Sequence, residues 1–160
     1  DPNNKLPEIT YWLMGSLSGA SPASALMAWA GAAFVFVPAF VYGRQLDAVS
    51  LGEGRGELLG VDERKLRRTL LFFASIATAL AVSCFGIIGF VGLVVPHLLR
   101  TLIGPASRPL LVFSFLGGAL LLSAADGLAQ RMGELPVGVI TALIGGPFFC
   151  WILAGRRRAA

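Results

Sequence analysis

Few residues in this chain could catalyse a reaction or hold a metal ion, and those few lie far apart. His97 is the single histidine, and no Cys, Asp or Glu lies near it to complete a metal site or a catalytic pair. Cys84 and Cys150 both lie within apolar runs and lack metal-ligand spacing. Asp126 lies near the end of an apolar stretch, where an acid is a candidate for handling substrate or protons. The pattern therefore predicts no enzyme and no metal site, and His97 is interpreted as structural or interfacial.

The composition indicates a helical membrane protein. Of the 160 residues, 56% are hydrophobic and 14% are charged, whereas a soluble domain carries about 25% charged residues. The 20 glycines would allow helices to approach closely within a bilayer. The net charge of +4 could suggest nucleic acid, but the basic residues cluster at the ends of apolar runs, as topology signals do. We expect an all-α, polytopic protein in contact with lipid and without a nucleic-acid partner.

The apolar stretches predict about five transmembrane helices. We place them at about 22–43, 66–84, 89–102, 109–129 and 136–154, with an external stub over 1–21 and a polar loop over 44–65. The first ten residues contain two prolines and are expected to form a loop. The uncharged run 69–96 is too long for one crossing of a core of about 30 Å, so its glycines are expected to turn the chain back. The opening sequence looks like a cut within a longer protein, and we expect a fragment.

Positive charge supports this path, because Lys and Arg are enriched in cytoplasmic loops. Five crossings that begin outside leave only Lys5 and Arg131 outside, and the other eleven of the thirteen basic residues inside. Joining 66–84 and 89–102 into one helix would instead put Arg100 and Arg108 outside. The path predicts that loop 44–65 and the C-terminus are cytoplasmic.

One polar segment stands out between the apolar stretches: LGEGRGELLGV, residues 51–61, followed by the basic run RKLRR at 64–68. It is too charged to cross a bilayer and too short to form a domain. We interpret it as a loop placed to meet a soluble partner. The basic run is expected to anchor at lipid headgroups, and a direct partner contact by Arg64 or Lys65 is the alternative.

Four blocks of the sequence, in order, resemble the FecCD/BtuC-type permeases of bacterial ABC importers: WLMGSLSGA (12–20), LGEGRGELLGV, GIIGFVGLVVPHLLR (86–100) and ELPVGVITALIGGPFF (134–149). The resemblance implies the C-terminal half of a ten-helix permease in the bacterial inner membrane. Such a permease carries an iron-siderophore, haem or cobalamin-type chelate, and iron chelates are the commonest class. The implied partners are ABC ATPase subunits, a second permease copy and a periplasmic substrate-binding protein. This chain carries no phosphate-loop motif, so ATP would be used by the partner subunits and no cofactor bound here.

The resemblance also implies three groups of site residues. Two short helices in segment 51–61 would couple the permease to the ATPase through Leu51, Gly52, Glu53, Arg55, Glu57, Leu58, Leu59 and Gly60. The external loop would dock the binding protein through Arg131 and Glu134, although Arg131 could instead pair locally with Asp126. Turns and helix packing would depend on Gly86, Gly89, Gly92, Pro96, Gly138 and Gly145. The family usually has Ala at Gly56 and a bulkier residue at Gly54. Because each Gly costs about 1 kcal/mol of helix propensity, we expect the coupling helix to depend on its partner for order.

Two other function classes are the alternatives. Half of an ion-coupled secondary transporter would need acidic or polar residues at mid-bilayer and broken helices, and Asp126 is the one acid available, near a helix end. An intramembrane enzyme would need a Ser/His, Asp/Asp or metal constellation within the helices. The importer interpretation fits the sequence better than either.

Overall fold

The protein is built from α-helices, which confirms the predicted fold class. The computed structural model describes residues 5–52, 55–133 and 135–157, and strands are absent from this part of the chain. The helices are α1 (Lys5–Leu13), α2 (Pro22–Val41), α3 (Gly43–Ser50), α4 (Arg55–Leu58), α5 (Glu63–Phe85), α6 (Val91–Ile103), α7 (Ser107–Arg131) and α8 (Val137–Arg157).

Three helices are long and apolar enough to cross a membrane: α2, α5 and α7, with 20, 23 and 25 residues. Two shorter apolar helices accompany them, α6 and the Val137–Ile152 part of α8. The 13 residues of α6 rise only about 20 Å, less than a hydrocarbon core of about 30 Å. Three helices are therefore long enough to cross the membrane alone, which supports a multi-pass protein. The five-crossing path stays a prediction.

The chain forms two compact units. One comprises Asp1–Ala20, Phe85–Leu98 and Ser114–Ala160, and the other comprises Ser21–Cys84 and Leu99–Phe113. In the first unit, a small apolar core joins the end of α7 to the start of α8 through Ala125, Ala129, Val137 and Ile140. Two of these four residues are alanines, small side chains of the kind that let membrane helices approach closely.

In the second unit, α2 and α5 pack side by side in opposite directions. Near the start of α2, Met27 Sδ lies 4.0 Å from Cys84 Sγ at the end of α5. Further along α2, the ring of Phe34 lies 4.7 Å from that of Phe73, centroid to centroid. From the first contact to the second, the residue number rises along α2 and falls along α5. The two helices are therefore antiparallel. Helix α3 and the polar segment 51–61 together connect the adjacent ends of these two helices.

Two predicted loops contain helix. Residues 5–10 were expected to be a loop because of proline, yet α1 begins at Lys5 and runs through Pro7. Proline is tolerated there, because backbone N–H groups in a first helical turn have no partner within the helix. The loop predicted over 44–65, with two short helices expected in segment 51–61, contains α3 before that segment and α4 within it, and the first span ends at Val41 before a turn at Tyr42. Residues 86–90 separate α5 from α6, where the sequence predicted a turn.

Candidate functional site

The segment after α3 is a short helix closed by a tight turn. At the end of α4, the Gly60 N–H donates to the Glu57 carbonyl at 3.0 Å and the Val61 N–H donates to the Gly56 carbonyl at 2.9 Å. These two hydrogen bonds form a Schellman motif, whose turning residue takes the left-handed conformation. Gly60 supplies it with φ +77°, because a glycine has no Cβ to oppose that conformation. The turn gives the segment a defined shape before α5 begins.

Three leucines on this segment are exposed. Leu51, Leu58 and Leu59 are 60%, 87% and 62% exposed. They belong to a polar segment rather than to an apolar run long enough to cross a membrane. Glu57 beside them is also exposed. Exposed apolar side chains on a polar segment make this stretch a candidate contact surface.

Below the leucines, α4 packs on the first turn of α5. A Cβ on buried Gly56 would lie 2.7 Å from Glu63 Oε1 and 3.1 Å from Val49 Cγ2. Glu63 Oε1 is itself buried and has no hydrogen-bond partner among the described residues. Gly56 thus makes room for the Glu63 side chain, in addition to the cost in helix propensity that the sequence predicts; dependence of the helix on its partner stays a prediction.

The start of α5 is capped within its own sequence. The Lys65 N–H donates to Asp62 Oδ1 at 3.0 Å, and the carboxylate complements the positive end of the helix dipole. Arg64 and Lys65 are exposed beside it. Both proposed roles for the basic run, lipid anchor and partner contact, remain predictions.

Part of the predicted coupling group lies outside the described residues. Glu53 is one such residue, so its expected pairing with Glu57 on a single helix face is a prediction only. Arg55 is the first residue of α4, and Gly52 has φ +127°. The structure thus brings together Leu51, Gly52, Glu57, Leu58, Leu59 and Gly60 in one short stretch.

At the other predicted docking site, Asp126 has a different partner from the one considered. Its Oδ2 accepts a hydrogen bond from Gln130 Nε2 at 2.8 Å, one helical turn away. Arg131 is exposed at the end of α7, where a basic side chain complements the negative helix end. Glu134 lies outside the described residues. A docking role for Arg131 and Glu134 remains a prediction.

Glycines form a close backbone junction in the first unit. A Cβ on Gly86 would overlap the Trp12 carbonyl oxygen, and one on Gly138 would overlap the Met14 carbonyl oxygen. Gly15 closes the junction, since its carbonyl accepts from the Gly138 N–H at 3.2 Å. Three separate parts of the chain thus meet backbone to backbone, which only glycines allow.

The other predicted packing residues divide into two kinds. Buried Gly145 lies against the Phe90 side chain so closely that a Cβ would overlap it. Gly89 and Gly92 have open space beside them in the described part of the chain, so no contact explains them there. Pro96 lies inside α6. The ring of His97 lies 6.0 Å from that of Phe148, edge to face, in keeping with a structural histidine.

Sequence reasoning missed three features of this chain. Gly15 was treated as part of the external stub, Glu63 was not singled out, and the contacts of Asp47 on α3 were not anticipated. Only Gly15 carried a signal, because small residues let segments of a membrane protein approach closely. In residues 5–52, 55–133 and 135–157, no cluster of three His, Cys, Asp or Glu could hold a metal.

Comparison with known proteins identifies the family. Residues 2–155 match the model of the FecCD transport family. The chain is 43% identical over 155 residues to the vitamin B12 import system permease BtuC of Vibrio cholerae, covering 92% of this chain and 45% of that protein. It is 40% identical to the hemin transport system permease HmuU of Yersinia pestis, covering 97% of this chain and 47% of that one. The chain thus spans about half the length of these relatives.

A solved structure agrees with the sequence matches. It is described as an inward-facing conformation of a metal-chelate type ABC transporter, and it covers 97% of this chain and 51% of its own. The TM-score is 0.88 at 32% sequence identity. With the apolar spans, the glycine junction and the segment between α2 and α5, these matches show that the chain is a multi-pass membrane protein of the FecCD transport family.

Proposed function

We propose that this chain is the C-terminal half of a permease subunit in an ATP-driven importer. The relatives that it matches act in vitamin B12 and hemin import, and the solved relative is an ABC transporter of the metal-chelate type. All three descriptions share a large metal-centred cargo. We propose the same class of cargo here, an iron-siderophore, haem or cobalamin-type chelate, with iron chelates as the first to test.

The observation that carries the proposal is the exposed apolar surface of segment 51–61. Leu58 is 87% exposed, yet it lies in a rigid turn between two spans rather than within one. An ABC ATPase subunit on the cytoplasmic face would cover the leucines, and apolar anchors buried at an interface contribute most of its affinity. A second permease copy would complete the membrane pathway, and a periplasmic substrate-binding protein would deliver the cargo to the opposite face, near Arg131.

The proposed mechanism needs no chemistry from this chain. ATP-driven closure of the ATPase pair would displace segment 51–61, and the displacement would reach α2 and α5 because the segment and α3 together connect their ends. Tilting of these spans would switch the pathway between its two faces. The Schellman turn at Gly60 would keep the segment stiff enough to transmit force.

An ion-coupled transporter is the competing function. The energy source for uptake distinguishes it from an ATP-driven importer. In proteoliposomes of the full-length permease with its operon-encoded ATPase, uptake should require internal ATP and stop with vanadate. It should survive an ionophore that collapses the proton and sodium gradients. Uptake that follows the ion gradient without ATP would establish the competitor.

The role of the segment is tested by a charge placed on its apolar surface. We expect Leu58→Glu to weaken retention of the ATPase about tenfold or more, because a buried carboxylate lacks a partner. Gln45→Glu is the matched control, since it adds the same charge to an exposed position on α3. Equal ATPase retention by both variants would contradict the proposed docking surface.

A further inference from the structure

In the second unit, the end of α2 and two residues of α3, Gly43 and Asp47, meet the first turn of α7. The Ser107 N–H donates to Asp47 Oδ1 at 2.7 Å. Arg108 Nε donates to the Phe40 carbonyl at 3.3 Å, and its guanidinium carbon lies 5.2 Å from the centre of the Phe40 ring. We call these residues, with Gly43, the α3–α7 link.

Asp47 supplies a cap that α7 cannot supply for itself. The residue before α7 is Ala106, which has no side-chain acceptor, whereas α2 is capped by its own Ser21 and α5 by its own Asp62. The first N–H groups of a helix need an external acceptor, and a carboxylate there also complements the helix dipole. The start of α7 is therefore held by a side chain sixty residues away in sequence.

Arg108 makes the reverse connection. Phe40 lies in the last turn of α2, where carbonyl groups lack helical partners and a cation is favourable. Gly43 leaves space for this arginine, because a Cβ there would lie 2.7 Å from Arg108 Cγ. Opposite charges thus contact opposite helix ends: Asp47 of α3 holds the start of α7, and Arg108 of α7 holds the end of α2.

We propose that Asp47 and Arg108 are positioning residues that carry the motion of the coupling segment into α7. This inference rests on the proposed function of segment 51–61. Since α3 contacts α4, a displacement of the segment would move α3, and the link would move the first turn of α7 with it. The transport stroke would then act on a third span, α7, in addition to the two spans that the segment and α3 connect.

If the α3–α7 link serves only as a helix cap, its loss should have a different effect from the loss of a link that transmits motion. Loss of a cap lowers stability, whereas loss of transmission lowers the cargo moved per ATP hydrolysed while ATPase docking persists. The measurement therefore uses the full-length permease with its ATPase in proteoliposomes. It records thermal stability, ATPase retention, ATP hydrolysis and uptake of the cognate ferric siderophore, haem or cobalamin, whichever the wild-type complex takes up.

We expect Asp47→Ala and Arg108→Ala each to lower uptake per ATP about tenfold, the size of effect expected for loss of a charge-assisted hydrogen bond. ATPase retention should stay near the wild-type level. Asp47→Asn should preserve coupling, because its amide oxygen still accepts from the Ser107 N–H. Ser21→Ala is the matched control: it removes the side-chain cap of α2 at the end away from segment 51–61 and should keep the wild-type uptake per ATP.

Gly43→Ala provides a second test that removes no cap. Alanine favours the helix, but its Cβ would displace Arg108, so we expect uncoupling in a protein that still folds. Wild-type coupling in Gly43→Ala and in Asp47→Ala would overturn the proposal. Loss of ATPase retention in Asp47→Ala would also overturn it, because the link would then only hold the docking surface in place. Failure of the wild-type permease to retain any ATPase would instead overturn the proposed function itself.

Discussion

At the scale of single residues, glycines with similar sequence neighbours make different contacts in the structure. Gly86 and Gly138 allow three backbone segments to touch, whereas Gly89 and Gly146 have open space beside them in the described part of the chain. Composition predicts close packing somewhere, because small residues let membrane helices approach. It does not tell which glycine lies at a contact, since that depends on the facing backbone.

Two helical glycines, one on α8 and one on α7, make this difference measurable. We expect Gly138→Ala to destabilise the full-length permease by about 1–3 kcal/mol, because its Cβ would overlap the Met14 carbonyl oxygen. Gly127→Ala on α7, where a Cβ would meet open space among the described residues, should leave the melting temperature unchanged or raise it, since alanine favours helix by up to about 1 kcal/mol. Thermal unfolding in detergent measures both. Equal melting temperatures for the two variants would mean that the junction is not tightly packed.

At the scale of elements, the coupling segment owes its shape to contacts with its neighbours. α4 has only four residues, far fewer than an isolated helix needs for stability in water. The Schellman turn at Gly60 and the packing of Gly56 on Glu63 and Val49 hold it in place. The segment therefore has internal supports in addition to any support from an ATPase.

A double-mutant cycle tests the packing under α4. In Gly56→Ala, the gain in helix propensity of up to about 1 kcal/mol opposes an overlap with Glu63 of about 1–3 kcal/mol. We expect faster hydrogen exchange across residues 55–61 in Gly56→Ala. In a Glu63→Ala background the same substitution should speed exchange less, because only the contact with Val49 Cγ2 at 3.1 Å still opposes the propensity gain. Slower exchange in both backgrounds would show that Glu63 does not constrain this position.

The sequence predicts helices better than the contacts between them. The break between α5 and α6 was predictable, because an uncharged run longer than a bilayer must turn and glycines mark the turn. α1 was missed because Pro7 occupies a first helical turn, where proline does not disrupt hydrogen bonding. The Asp47–Ser107 hydrogen bond could not be predicted, since no local pattern relates residues sixty positions apart. The coupling role of segment 51–61 stays a prediction, and the packing of Gly56 could not be predicted because it depends on the facing Glu63.

At the scale of the whole molecule, the lengths of the spans limit what the bilayer can hold. α2, α5 and α7 can each cross alone, whereas α6 is about 10 Å too short for a typical hydrocarbon core. A short helix at membrane depth needs protein around its ends, because unpaired backbone groups are costly in lipid. The matched relatives are about twice as long as this chain, and in a complete permease the remaining half could supply that cover.

Sidedness is tested by labelling single cysteines in intact cells. Leu58→Cys and Arg131→Cys are placed in a full-length permease from which Cys84 and Cys150 have been replaced by serine. We expect a membrane-impermeant maleimide to label position 131 directly and position 58 only after permeabilisation, because the charge distribution puts them on opposite faces. Labelling of both positions from the same side would refute the five-crossing path.

The turn before α6 has a consequence for how this family varies. Phe90 adopts φ +66°, a conformation that disfavours any residue with a Cβ by about 1–2 kcal/mol. Its side chain lies against Gly145, where no Cβ fits. The two positions should therefore covary among relatives: a bulky residue in the turn should accompany glycine on α8, and a larger residue on α8 should accompany glycine in the turn.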